Sequence, residues 1–186
     1  MVSGEIPADR PALARPLNVP NREGRFVFRG ESMTKFAKDI MVSTFDKIHE
    51  NAPVRDAIQM ILNGKVRDTG FKSISLIVVN AYKQLAGVIT MYDILYHLRP
   101  DFLNYDVISA EQISWGDQLE RYIEALKNKK VNQVMSRHVV SAAADEHIMV
   151  ILDRMIKNKY RRLPVVEANR PIGIIYISDI YCHLFK

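Results

Sequence analysis

Apolar residues recur at helical spacing between Pro53 and Leu62, where Val54, Ala57, Ile58, Ile61 and Leu62 share one face. Gly64 then stands where a helix would end. The β-branched run from Ser75 to Val79 predicts a buried strand, and Asn80 to Gln84 a turn. Ala86 to Ile89 predicts a second strand, hairpin-paired with the first. Tyr92 to Leu98 opens a helix that Pro100 closes. The same order then returns. Asp145 to Ile156 predicts a helix with Ile148, Ile151, Leu152, Met155 and Ile156 inward. Leu163 to Val166 predicts a strand, Glu167 to Arg170 a turn, Ile172 to Tyr176 a strand, and Asp179 to Phe185 a helix.

The recurrence extends to individual residues. Gly87-Val88-Ile89-Thr90-Met91-Tyr92-Asp93-Ile94 matches Gly173-Ile174-Ile175-Tyr176-Ile177-Ser178-Asp179-Ile180, and His97-Leu98 matches His183-Leu184. Both Gly pairs and both Asp pairs stand 86 positions apart. A repeat of this length is one supersecondary unit used twice. The lead-ins also correspond, Ala37 to Met41 against Val131 to Met135. The chain therefore divides into an arm (1–33), a first unit (34–98), a linker (99–130) and a second unit (131–186). The arm is rich in Pro, Arg and Gly, reads as mobile, and holds one short strand at Arg25 to Phe28. The first unit carries extra residues at Val66 to Lys72, read as a loop extension. The linker ends in an amphipathic helix over Asp117 to Lys127, with Leu119, Tyr122, Ile123 and Leu126 on one stripe.

Composition is that of an ordinary soluble protein, at 48% hydrophobic and 25% charged residues. No apolar run approaches bilayer length, and the start lacks a signal-peptide h-region, so neither membrane nor export is expected. Cys182 is the only cysteine, which excludes an internal disulfide and fits a cytoplasmic location. A net charge of +5 favours anionic partners without choosing among them.

Thr90-x-x-Asp93 sits where a strand turns into a helix. One reading is a capping box with Asp in place of Glu or Gln. The other uses the same geometry for a ligand: the carboxylate accepts both hydroxyls of a ribose, and the Thr hydroxyl and helix N-terminus face an anion. In the second copy Tyr176 replaces the hydroxyl residue while Asp179 is retained, so a second site there is either weak or blocked by the ring. A phosphate also needs cations. Arg161 and Arg162 precede the second copy's first strand, and alternation along a strand sends only one of them into a cleft.

Helix, strand, turn, strand ending in Gly and two hydrophobic residues, then Ser or Thr three places before Asp, then helix, resembles the cystathionine-β-synthase domain, or CBS domain; Tyr176 departs from that pattern in the second copy. The resemblance covers about Ala37–Leu98 and Val131–Lys186. It implies an α/β fold of two pseudo-twofold-related CBS units, each a small sheet with flanking helices, often called a Bateman module. It further implies a regulatory sensor that binds AMP, ADP or ATP, or an S-adenosyl compound such as S-adenosylmethionine, between the units. Thr90, Asp93, Asp179, Arg161 and Arg162 are the implied contacts, with Val140 and Ile172 lining a base slot. Cations of one copy serve the phosphate of a nucleotide whose ribose is held by the other, which pairs Thr90 and Asp93 with Arg161 or Arg162. A homodimer through exposed helices is expected, with an effector that is a separate, unknown protein.

Rival readings rank lower. His97 and His183 recur four places after each Asp and could meet around a metal, but helix-surface roles suffice for them. No nucleophile–base arrangement, Walker loop, H-E-x-x-H or dinucleotide fingerprint is present, so no catalytic activity is expected. The arm's five arginines and the Lys127, Lys129 and Lys130 cluster could hold nucleic acid, but Glu5, Asp9 and Glu23 interrupt the arm, and no stacking platform accompanies it. A ligand-independent interaction scaffold is the remaining alternative.

Overall fold

The computed structural model describes residues 19–20, 26–27, 35–100 and 115–185. The chain forms two compact units, Met1–Thr34 and Lys35–Lys186. In the first, β1 (Val19–Pro20) pairs antiparallel with β2 (Phe26–Val27), which falls within the expected strand at Arg25 to Phe28. The expected mobility of the arm otherwise lies outside the described residues.

The larger unit contains both copies. The first runs α1 (Ala37–Ile40), β3 (Lys47–His49), α2 (Val54–Leu62), β4 (Ser75–Val79), β5 (Leu85–Thr90) and α3 (Met91–Leu98). After α4 (Gly116–Asn128) comes a 3-10 turn at Val131–Gln133. Then follow β6 (Ala142–Ala143), α5 (Ile148–Lys157), β7 (Arg162–Glu167), β8 (Arg170–Tyr176) and α6 (Ile177–Phe185). Each copy builds a three-stranded sheet, in the order β3-β4-β5 and β6-β7-β8. The first pair in each sheet is parallel and the second antiparallel. The mixed α/β class and the two small flanked sheets match the expectation. Among the described residues, no helix is long and apolar enough to cross a membrane.

Helical periodicity located the buried faces of α2 and α5 with one exception in each. Val54, Ala57 and Ile61 of α2 and Ile148, Ile151 and Met155 of α5 are buried. Leu62 and Ile156, expected inward, are about 60% exposed. Each directly follows the last buried residue of its helix, and a step of one residue turns a side chain well off the seam. The helix expected from Asp145 begins at Ile148 instead, because Ala142 and Ala143 are drawn into the sheet. His147 caps the helix through Nδ1, which accepts from the Met149 N–H at 3.2 Å. The linker helix has its stripe as expected at Leu126, which is buried, whereas Leu119 is exposed.

The copies are interlocked by their lead-ins. Ala37 and Ile40 of α1 are buried in the core of the second copy, with Ile148, Ile151, Met155 and Ile175. Val131, Val134 and Met135 are buried in the core of the first copy, with Val54, Ala57, Leu76 and Ile89. Backbone hydrogen bonds fix both crossings. Ala37 N–H donates to Glu146 O at 2.9 Å, and Val131 N–H to Ala52 O at 2.9 Å. Val42 N–H donates to Ile174 O at 2.8 Å, and Ser136 N–H to Val88 O at 3.0 Å. A third cluster joins the two sheets directly: Ile77, Val88, Ile174 and Tyr176.

The repeated glycines are where the lead-ins cross. A Cβ on Gly87 would stand 2.6 Å from the Ser136 carbonyl oxygen and 2.8 Å from Met135 Sδ. A Cβ on Gly173 would stand 2.5 Å from Met41 Sδ. The first collision involves backbone, which cannot yield; the second involves a flexible side chain that can partly turn away. Gly87→Ala is therefore expected to cost about 1–3 kcal/mol, and Gly173→Ala less. Urea unfolding of the two variants checks the order, and equal losses would refute the backbone origin of the constraint.

Candidate functional site

The first cleft forms where β5 turns into α3. Thr90 ends the strand in extended conformation and caps the helix. Its N–H donates to Asp93 Oδ2 at 2.8 Å, and the Asp93 N–H donates back to Thr90 Oγ1 at 3.2 Å. The Thr90 hydroxyl also donates to Asp93 Oδ2 at 2.6 Å. The capping geometry is therefore present in full, and it fixes the carboxylate. The other carboxylate oxygen, Oδ1, accepts from the Ser136 hydroxyl at 2.9 Å. Ser136 lies on the lead-in that crosses Gly87, so the two copies meet at this carboxylate.

Across the cleft, β7 begins with Arg162, paired in register with Tyr176. Alternation separates the two arginines: Arg161 is exposed and Arg162 is half-buried. Arg162 Nη1 is buried without a hydrogen-bond partner. Burial pushes the guanidinium pKa below its usual range. Tyr176 and Asp93 pull it back up, and Arg161 and Arg67 add to the lowering. Arginine stays protonated even so, so the cleft holds a partly desolvated cation with one terminal nitrogen unpartnered.

A cavity of about 470 Å³ opens between these groups. Thr90, Ser136, Val140, Arg161 and Arg162 line it, with Val88, Val139 and Leu163 as apolar wall and Tyr92 and Tyr160 as aromatic edges. His138 and Lys159 add to its basic side. Lys159 sits in the left-handed region (φ 58°), which lets the short turn after α5 bring it to the rim. Ile172 is not among these lining residues; it packs against the second copy's core.

The second cleft is built differently. Asp179 is buried, 1% exposed, and its carboxylate is already engaged. Arg67 Nη1 pairs with its Oδ2 at 2.5 Å, and the Thr69 hydroxyl donates to its Oδ1 at 2.9 Å. The Ser178 hydroxyl donates to Oδ1 at 3.2 Å. The Arg67 guanidinium carbon lies 3.6 Å from the Tyr176 ring centroid, a stacked cation–π contact. The structure thus brings Thr90, Arg161, Arg162 and Val140 around one cavity and Asp179 into another; Asp93 is not a lining residue and adjoins the first through its bonds to Thr90 and Ser136.

Ser136, His138, Lys159 and Tyr160 were not anticipated from the sequence. Ser136 follows Met135, whose match to Met41 was visible, so extending that alignment by one residue exposes a difference: Ser136 against Val42. Arg67 and Thr69 lay within the extra residues at Val66 to Lys72, visible as added length but not as chemistry. Among the described residues, no cluster of three or more His, Cys, Asp or Glu could hold a metal.

Residues 37–100 and 131–186, more than half of the chain, match the CBS domain family, and the chain belongs to that family. The two matched segments make it a tandem CBS pair. An uncharacterized protein of Methanocaldococcus jannaschii is 25% identical over 142 residues, covering 76% of this chain and 40% of the relative. A homoserine O-acetyltransferase of Methanococcus vannielii is 27% identical over 148 residues, covering 78% of this chain and 24% of that enzyme. This chain thus spans less than half of either relative. Among solved structures, the CBS domain of a membrane protein from Sphaerobacter thermophilus superposes with a TM-score of 0.60 at 24% identity, covering 80% of this chain and 87% of that one. CBSX2, solved in complex with AMP, gives 0.58 at 20% identity, covering 80% and 95%. A CBS domain pair solved with 5′-methylthioadenosine and S-adenosyl-L-methionine gives 0.56 at 21% identity, covering 81% and 96%. These likenesses establish the fold.

The Thr69 hydroxyl is bonded to a buried, charged acceptor. Thr69→Val, which keeps the shape, is expected to lower stability by about 1.5–3 kcal/mol. Urea unfolding without ligand measures this, and no loss would mean that the loop does not rest on Asp179.

Proposed function

We propose that the chain is a non-catalytic regulatory module that binds an adenine nucleotide in the cleft of Thr90, Asp93 and Arg162. The observation that carries this reading is the buried, unpartnered Nη1 of Arg162 beside a cavity that also holds Thr90, with the Asp93 carboxylate close by. Native structures rarely leave a buried charged donor without a partner, which a ligand, an ion or an ordered water then supplies. A nucleotide meets both ends: ribose hydroxyls reach Asp93 by displacing the Ser136 hydroxyl, and phosphate oxygens reach Arg162, with Arg161, Lys159 and His138 around them. The apolar wall that includes Val140 receives the base. The ligands with which two structural neighbours were solved, AMP in one and adenosyl compounds in the other, support the adenine class.

Charge favours phosphate over sulfonium. Three obligate or near-obligate cations and a histidine line the cavity, and a sulfonium cation gains nothing from them. AMP, ADP or ATP therefore fits better than S-adenosylmethionine. A ligand that touches Asp93 and Ser136 on one side and Arg162 on the other bridges the two copies, so it shifts their packing by its differential affinity for the bridged state. That shift is the signal passed to an effector protein. Exposed Leu95 and Tyr96 on α3, with Tyr181 and Phe185 on α6, form the apolar rows for a homodimer. Light scattering on the purified chain is expected to give twice the chain mass, and a monomer at all concentrations refutes the dimer.

Two variants test the site. Asp93→Asn keeps an acceptor for the Thr90 N–H, so the cap survives while the charge is lost. It is expected to weaken nucleotide binding about ten- to hundred-fold. Arg162→Met removes an unpartnered buried donor. It is expected to leave the ligand-free melting temperature unchanged or raised while abolishing the nucleotide-induced rise. Arg161→Met is expected to do far less. Thermal unfolding with and without AMP, ADP, ATP and S-adenosylmethionine reads all three, and wild-type binding by Arg162→Met would sink the assignment.

A further inference from the structure

The extra residues of the first copy are folded as a small hairpin, and its tip docks into the second cleft. Ser73 N–H donates to Lys65 O at 3.0 Å, Val66 and Lys72 form a bridge, and Arg67 N–H donates to Phe71 O at 2.9 Å. The tip closes with Gly70 N–H on Arg67 O at 2.8 Å, and Gly70 takes a φ of +84° that favours glycine. The hairpin leaves and rejoins the body at one place, since Gly64 lies directly against the Ser73 backbone. The second copy has no counterpart, because the segment from α5 to β7 holds only residues 158–161.

Each of the three nitrogens of Arg67 is engaged within the chain. Nε donates to Phe71 O at 3.2 Å, Nη1 to Asp179 Oδ2 at 2.5 Å, and Nη2 to Ser178 Oγ at 3.4 Å, while one face covers Tyr176. Its side chain is 7% exposed, and that of Asp179 is 2% exposed. In both clefts the carboxylate receives donors from within the chain, but the cations differ: Arg162 of the first keeps an unpartnered nitrogen, whereas Arg67 is spent on Asp179 itself. Two hydroxyl-like positions on a carboxylate, one at each oxygen, are what a ribose would fill. Arg67 and Thr69 fill them.

We propose that the Lys65–Ser73 hairpin is a built-in occupant of the second cleft, so that each chain binds one nucleotide and withdrawal of Arg67 and Thr69 from Asp179 uncovers a second, adenosine-type site. The inference rests on the nucleotide reading of the first cleft for its ligand class. Tyr176, which departs from the Thr of the first copy, is the seat on which the guanidinium stacks. The cavity of about 440 Å³ that remains beside the hairpin has Asp39, Asp46 and Asp68 on its walls, with Lys65 and Arg67 as its cations. Once Arg67 is withdrawn the carboxylates outnumber the remaining lysine, which makes a neutral adenosine the better probe of the uncovered site.

The test counts sites by titration calorimetry of the full chain with AMP and with adenosine. Two variants are compared with wild type: Arg67→Ala, and a shortened chain in which residues 66–72 are replaced by two glycines. The second keeps the hairpin question answerable if a buried Asp179 without its cation prevents Arg67→Ala from folding. Expected are one AMP site per chain in wild type, and one additional adenosine site in the variants that Asp179→Asn then removes. One site in wild type and still one in the folded variants overturns the inference and leaves the nucleotide reading standing. Two sites in wild type also overturn it. No AMP binding in wild type, with an Asp179-dependent adenosine site in the shortened chain, overturns the first-cleft reading and supports the hairpin as occupant. No binding by any form overturns both.

Discussion

Everything in this fold depends on two backbone crossings that have no room for a side chain. Each lead-in passes over the glycine of the other copy, hydrogen-bonds to the strand beside it, and buries its apolar residues in a core that is not its own. The glycine, the methionine that lies on it and the bridge next to it are one mechanical joint made twice. The clefts follow from the joint, because each lead-in leaves its crossing directly above the helix N-terminus of the opposite copy. The residue after the crossing then determines what the carboxylate below it meets. In one case this is the hydroxyl of Ser136; in the other the equivalent residue is Val42, which has no hydrogen-bonding side chain, and the donors to Asp179 come from Arg67 and Thr69.

The chemical inequality of the two clefts grows from that single substitution and its neighbours. Ser75 and Arg162 occupy equivalent places, the first residues of β4 and β7, each paired with the last residue of the following strand. Both carry a buried polar side-chain atom without a partner. For a hydroxyl the cost is modest, whereas for a guanidinium it is a standing electrostatic demand. Asp179 poses the opposite demand and has it met within the chain. A module that began with two equal clefts thus holds one that is electrostatically unfinished and one that is complete.

Much of this was legible from residue order, and the part that was not has a clear physical basis. Helical and strand periods reveal which face of an element is buried, so α2, α5 and both hairpins could be read directly. They do not reveal against what an element is buried, so the exchange of Ala37–Ile40 with Val131–Met135 was invisible although their similarity was plain. Strands β3 and β6 are three and two residues long, too short to show any period. The repeat pointed to Thr90 and Asp93, and strand alternation predicted that Arg161 and Arg162 would differ. Ile172 was placed in the slot by resemblance alone, and it packs in the core. Arg67 escaped because inserted residues announce length, and only tertiary structure shows where their tip lands.

The reciprocal lead-ins also bear on how such a chain could arise. A single copy, cut free, would have a groove beneath its sheet where Ala37 and Ile40, or Val131 and Val134, now lie, and it would carry an apolar segment with no groove of its own. Two such fragments satisfy each other completely, which is the arrangement of a twofold homodimer. Joining the two polypeptides end to end would preserve every contact while releasing the halves from identity. Only a fused ancestor could keep one cleft open and grow a hairpin into the other, since in a true homodimer any insertion appears in both.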